Sequence, residues 1–148
     1  QPSSSRPVIV WFRHDLRLED NPALSHAHGT GRPVVPVFIL DTGDTAPRRP
    51  GGAARWWLHH SLKVLADDLA ALGAHLILRR GKAADVIDSL IEQTGAEAVL
   101  WNRRYDPAAM ARDAAMLFAK SECGEDYSAA SSVLSIICST ITSISTSP

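Results

Sequence analysis

Two patterns of hydrophobic and polar positions alternate along the first three quarters of the chain. Short apolar runs stand at Pro7–Phe12 (PVIVWF), Pro33–Leu40 (PVVPVFIL), Ala74–Arg79 (AHLILR) and Ala96–Trp101 (AEAVLW). They are rich in β-branched and aromatic residues and do not alternate with polar ones, the pattern of strands buried on both faces. Pro36 is awkward inside the second run, because proline removes a ladder donor. Between the runs the period becomes helical. Asn21 before Pro22 reads as an N-cap with proline at the first helical position, and this short helix closes near Gly29. Leu58, Leu62, Leu65, Leu69 and Leu72 are spaced 4, 3, 4 and 3, one stripe on a helix over residues 54–72 that Gly73 terminates. A second amphipathic segment, KAADVIDSLIEQTG, ends at Gly95, and Asp106 with Pro107 opens a helix that runs to Met116.

Strands alternating with helices predict an α/β fold: a Rossmann-like, doubly wound parallel sheet with helices on both faces and the four apolar runs adjacent. Such sheets bind ligands outside the carboxyl ends of their strands. Polar segments leave three of those ends: RHDLRLED after the first run, DTGD after the second and NRRYD after the fourth. Arg13, Asp15, Arg17 and Asp20 in the first segment have two readings on physical grounds. They either pair with one another and cap the next helix, or line a ligand-binding rim.

Composition narrows the chemistry. At 148 residues and 45% hydrophobic the chain suits one domain with a real core. A net charge of −1 gives no global basic field for nucleic acid, and no run approaches the ~20 apolar residues of a membrane span. The first residues, QPSSS, lack a signal-peptide apolar region and read as a trimmed or flexible start. Cys123 and Cys138 are the only cysteines, as expected of a reduced, cytoplasmic protein. His26 with His28, and His59 with His60, lack the further ligands that zinc-like spacing requires, so no metal is expected. Gly29-Thr30-Gly31 follows a helix and lacks the third glycine of a dinucleotide fingerprint; there is no P-loop and no serine in a nucleophile elbow.

The character of the chain changes near Met116. Residues 1–116 carry 14 basic and 13 acidic side chains, whereas residues 117–148 carry one basic and three acidic, none beyond Tyr127. This Ser/Thr-rich tail is expected to be frameshifted, truncated or disordered. A lineage-specific tail is the alternative, with Val133, Leu134, Ile136, Ile137, Ile141 and Ile144 able to make a fifth strand, and an uncharged segment of this kind is aggregation-prone.

VWFRHDLRLEDNPAL closely resembles the N-terminal signature of the DNA photolyase/cryptochrome family. The resemblance continues through PVFILD, RWWLHHSLKVLADDLAALGAHLILRRG and VLWNRRYDPAAMARDAAM, over about residues 7–116. It implies the N-terminal α/β domain that holds a light-harvesting antenna chromophore. In the family a separate helical domain binds FAD and damaged DNA; blue-light-excited FAD passes an electron to a pyrimidine dimer, which splits and returns it. FAD and DNA are therefore expected in the intact parent only, with this chain inactive alone. In members with a deazaflavin antenna, the residues that hold it match Asp15, Phe38, Arg55 and Asp106, with a partial match at Arg104, where those members tend to carry an acid. Members with a bacterial-type folate antenna have an Asn-Glu pair where Ala108 and Ala109 stand here, which disfavours that folate site; the antenna implied is a deazaflavin, FMN or folate. The alternatives are a free-standing nucleotide- or flavin-binding module, a cryptochrome-type photosensor fragment, and a non-functional gene remnant.

Overall fold

The computed structural model describes residues 6–42, 51–102, 107, 110, 111, 113 and 114, and, by backbone path, 126–129 and 133–137. The elements are β1 (Val8–Phe12), α1 (Pro22–Gly29), β2 (Val34–Asp41), α2 (Gly52–Ala71), β3 (Ile77–Gly81), α3 (Ala83–Thr94), β4 (Ala98–Asn102), β5 (Asp126–Ala129) and β6 (Val133–Ile137). The strand order is β3-β2-β1-β4-β6-β5. The first four strands are parallel, in the adjacency the apolar runs predict, with Val8 opposite both Val34 and Ala98.

The chain steps from β1 to β2 to β3 in one direction and then returns to the far side of β1. Right-handed crossovers therefore place α1 and α2 on one face and α3 on the other. The core divides accordingly. Val8, Val10 and Phe12 pack with Ala23, Ala27, Leu65, Leu69 and Leu100 on the α1/α2 side. Ile9, Trp11, Val37, Ile39, Val99 and Trp101 pack with Ile87, Leu90 and Ile91 on the α3 side. All five residues of β1 are buried. A strand covered on both faces has no polar position to alternate with, so its sequence reads as an unbroken apolar run.

Local chemistry sets the boundaries. Asn21 caps α1, its side chain accepting from the Leu24 N–H at 3.2 Å, and Pro22 follows as the first helical residue. At the end of α2 the Gly73 N–H donates to Ala70 O (3.0 Å) and the Ala74 N–H to Leu69 O (2.9 Å), with Gly73 at φ +82°. These two bonds are a Schellman closure. Because Ala74 is used in closing the helix, the third strand starts at Ile77 rather than at Ala74 as the sequence pattern suggests. Leu72 is corrected for the same reason. As the C-cap it leaves the helical path (φ −91°, ψ 3°) and is 72% exposed, whereas Leu65 and Leu69 of the same stripe are buried. Pro36 is fully buried without costing a ladder bond. The Val8 N–H donates to Pro33 O, so odd-numbered residues of β2 face β1, and the Pro36 nitrogen faces β3, whose pairing starts only at Val37.

Pro107, Met110, Ala111, Asp113 and Ala114 are helical, as expected of the last segment, while Asp106, expected as its N-cap, lies outside the described residues. In the Ser/Thr-rich stretch, β6 pairs antiparallel with β4, Ala98 opposite Ile137 and Asn102 opposite Val133, and β5 pairs antiparallel with β6. The strand therefore includes Val133, Leu134, Ile136 and Ile137; Ile141 and Ile144 lie outside the described residues.

Candidate functional site

The winding of the chain reverses between β1 and β4, and the crevice beyond the carboxyl ends of these two strands is where doubly wound sheets take ligands. On each face of the sheet a polar tie spans it.

On the α1/α2 face the tie is Asn102, the last residue of β4. Its Oδ1 accepts from the Ala23 N–H at 2.8 Å. Its Nδ2 donates to Asn21 Oδ1 at 2.9 Å and to Asp15 Oδ2. Asn21, 1% exposed, also donates through Nδ2 to Arg17 O at 3.0 Å. The loop after β1, the start of α1 and the end of β4 are thereby joined by side-chain amides.

On the α3 face the tie is ionic. Arg13 Nη1 donates to both carboxylate oxygens of Asp113 at 2.9 Å, and the two side chains are 8% and 5% exposed. The Arg13 guanidinium lies 4.9 Å from the centroid of the Trp11 ring, and Trp11 packs at 5.7 Å and 59° against Trp101. The charged run after β1 does tie the fold together, and beside its local bond from the Arg13 N–H to Asp15 Oδ1 it does so through distant partners. Arg13 finds its partner 100 residues away, and Asp15 finds one 87 residues away.

Three of the residues expected to form the site lie at one end and on one side of the sheet. Asp15, half-buried, accepts from the Arg13 backbone N–H at 3.1 Å on Oδ1 and from Asn102 on Oδ2. A carboxylate has about four acceptor positions, so each oxygen retains one for a ligand donor. Phe38, 8% exposed, is in register with Phe12 and so shares the α1/α2 face. Arg55 is exposed in the first turn of α2, on the same face, and pairs with no described carboxylate. Its helix begins at Gly51 without a side-chain cap and with no acidic residue in its first turn, so the positive end of the helix dipole adds to the guanidinium. Arg104 and Asp106 lie outside the described residues, as do Ala108 and Ala109. Trp56 and Trp57 follow Arg55 and are 63% and 67% exposed. At 100° per residue Trp56 stands opposite Leu65, directed away from the sheet, and its ring packs against His60 with centroids 4.2 Å apart and planes tilted by 57°.

An aromatic side chain, a carboxylate acceptor and a guanidinium with no carboxylate partner among the described residues suit a flat heterocycle with hydrogen-bond donors on one edge and negative charge on another. Among the described residues there is no cluster of His, Cys, Asp or Glu able to hold a metal ion, and no helix long and apolar enough to cross a membrane.

Asn102 and Asp113 are the residues that sequence reasoning passes over. Asn102 carries a signal, a polar amide directly after an apolar strand at a carboxyl end. Asp113 carries none, being one acid among alanines in a helix.

A family model described as DNA photolyase matches residues 8–135. The chain is 52% identical over 110 residues to the deoxyribodipyrimidine photo-lyase of Agrobacterium fabrum, covering 74% of this chain and 22% of that protein. It is 42% identical over 112 residues to Cryptochrome-1 of Sinapis alba, covering 75% and 22%. The chain thus spans about a fifth of the length of these relatives. Among solved structures, a class III photolyase from Agrobacterium tumefaciens superposes with a TM-score of 0.74 at 48% identity, over 81% of this chain and 24% of that one. An archaeal photolyase from Sulfolobus tokodaii, solved with two FAD molecules that imply a novel light-harvesting cofactor, gives 0.68 at 30% identity, over 80% and 27%.

Proposed function

The chain belongs to the DNA photolyase family, and on that premise we propose that residues 7–116 are the part of a photolyase that holds a light-harvesting antenna chromophore. The parent activity is light-driven repair of pyrimidine dimers. The FAD and the damaged DNA of that reaction are assigned to the stretch of the relatives' length that this chain does not cover, so the chain alone repairs nothing. A parent of the cryptochrome type, supported by the similarity to Cryptochrome-1, would use the same domain in the same way. Residues 117–148 are assigned no part in the site.

The observation that carries this reading is the gathering of Asp15, Phe38 and Arg55 at the carboxyl end of the sheet on the α1/α2 side. Arg104 and Asp106, next in sequence after β4, are the further candidates that the family resemblance offers. These groups suit a deazaflavin or FMN: Phe38 meets the ring, Asp15 accepts from its donor edge and Arg55 meets its negative charge. Ala108 and Ala109 offer neither the donor nor the carboxylate of an Asn-Glu folate site. When bound, such a chromophore absorbs light and passes the energy on; the protein binds it, orients it and keeps water from its face.

The test is a fluorescence titration of the purified chain with a deazaflavin, FMN, FAD and a reduced folate, repeated on Arg55→Ala. Weak binding of the deazaflavin or FMN, lost in Arg55→Ala, is the expected result. Tight FAD binding, or dimer repair by the chain under blue light, overturns the reading.

A further inference from the structure

We infer that Asn102 is a positioning residue of the rim: it fixes the Asp15 carboxylate and the start of α1 in one arrangement, and so sets the geometry in which the site meets a ligand. The ligand part of this inference rests on the chromophore reading above; the positioning part does not.

The bonding needs of the position select asparagine. One atom must accept from the Ala23 N–H, and its neighbour must donate both to Asn21 Oδ1 and to Asp15 Oδ2. An aspartate keeps the acceptor and loses both donors, and it places a second carboxylate beside the first. A leucine of similar shape loses all three bonds and leaves Asn21, 1% exposed, with one partner fewer. Serine does not reach both neighbours at once.

The placement matters because, among the described residues, one other bond holds the Asp15 carboxylate, from the Arg13 N–H to Oδ1. It lies in a stretch with no regular secondary structure, between Phe12 and the turn before Asn21. A carboxylate held on one oxygen can swing about that contact. Held on both, it presents its two remaining acceptor positions in a fixed direction. The same amide accepts the first free N–H of α1, that of Ala23, so the loop and the helix that flank the crevice keep their spacing through one side chain. Because Asn102 ends β4, an interior strand whose Val99, Leu100 and Trp101 are buried, that spacing is referred to the core of the sheet.

The experiment compares the full chain with Asn102→Ala and Asn102→Asp, by residue-resolved amide hydrogen exchange and by titration with a deazaflavin. In Asn102→Ala the amides of Ala23 and Arg13 are expected to exchange about tenfold faster or more, since the first loses its acceptor and the second loses an Asp15 held in place. The amides of the β2–β3 ladder are expected to stay unchanged. In Asn102→Asp the Ala23 amide keeps its protection while Arg13 loses it, and deazaflavin affinity falls about tenfold in both variants. This pattern separates positioning from a general loss of stability, which speeds all amides together. Unchanged Arg13 exchange in both variants shows that Asp15 is held without Asn102 and overturns the inference, as does undiminished deazaflavin affinity in a variant whose Arg13 amide is exposed. If the unaltered chain takes up no deazaflavin while the amides respond as stated, Asn102 positions the rim as inferred and the chromophore reading is the one that fails.

Discussion

Replacing Leu65 and Leu72 by alanine, one at a time, sets two residues of one helical stripe against each other. The sequence treats them alike, at positions seven residues apart on one face. The structure does not: Leu65 is 1% exposed among Val8, Val10, Phe12 and Leu69, and Leu72 is 72% exposed past the end of α2. Leu65→Ala removes three buried carbons, which at about 0.8 kcal/mol each costs about 2–2.5 kcal/mol in transfer free energy. The void left between α2 and β1, if roughly 50–80 Å³ remains unfilled, adds about 1–2 kcal/mol at ~24 cal/mol per Å³. The sum of about 3–4 kcal/mol lies within the range usual for buried leucines. With a slope of about 1.5 kcal/mol per molar urea, the midpoint falls by roughly 2 M. Leu72→Ala is expected to cost under about 0.5 kcal/mol, as surface changes do. Urea melts followed by far-ultraviolet circular dichroism measure both. Equal shifts for the two variants, or less than about half a kcal/mol for Leu65→Ala, would refute the packing of α2 on the sheet.

The buried pair Arg13–Asp113 and the exposed pair Arg32–Glu97 should differ in weight. Asp113→Ala leaves the Arg13 charge buried and is expected to cost about 3–5 kcal/mol, with much of the loss recovered when Arg13→Met is added; thermal or urea melts of the single and double variants decide it. Arg32 and Glu97, about a third exposed, also form an ion pair, and Glu97→Ala is expected to cost under about 1 kcal/mol, less in high salt. Gly95 sits at φ +65° at the end of α3 with open space where a Cβ would go. Gly95→Ala is therefore expected to lose about 1–2 kcal/mol from backbone strain alone, read from the same melts.

The presence and parallel direction of the first four strands were legible because burial on both faces removes polar positions from a strand, and VIVWF and AVLW show this plainly; their order was not. Helix ends were legible where a side chain or a glycine makes the cap, as at Asn21, Gly73 and Gly95. The start of β3 was not, because a backbone closure used Ala74, and AHL carries no mark of that. The exposure of Leu72 was missed for the same reason. In the site, Asp15, Phe38 and Arg55 were visible through a resemblance of motifs rather than through spacing. The partners that hold the rim, Asn102 for Asp15 and Asp113 for Arg13, lie 87 and 100 residues along the chain. Pairings at that distance are set by the winding of the sheet, which no local pattern encodes. Pro36 looked like a fault in a central strand and is not one, because its nitrogen faces a neighbour that has not yet begun.

The most direct test of the account is to find where a chromophore binds. A deazaflavin titrated into isotope-labelled protein, followed by residue-resolved amide NMR, reports the site without any assay of repair. The shifted amides are expected to cluster at Asp15, Asn102, Phe38–Leu40 and the first turn of α2 around Arg55, all at the carboxyl end of the sheet on the α1/α2 side. Shifts centred instead on Arg32, Glu97 and the opposite end of the strands, or no saturable shift at any concentration, would contradict it.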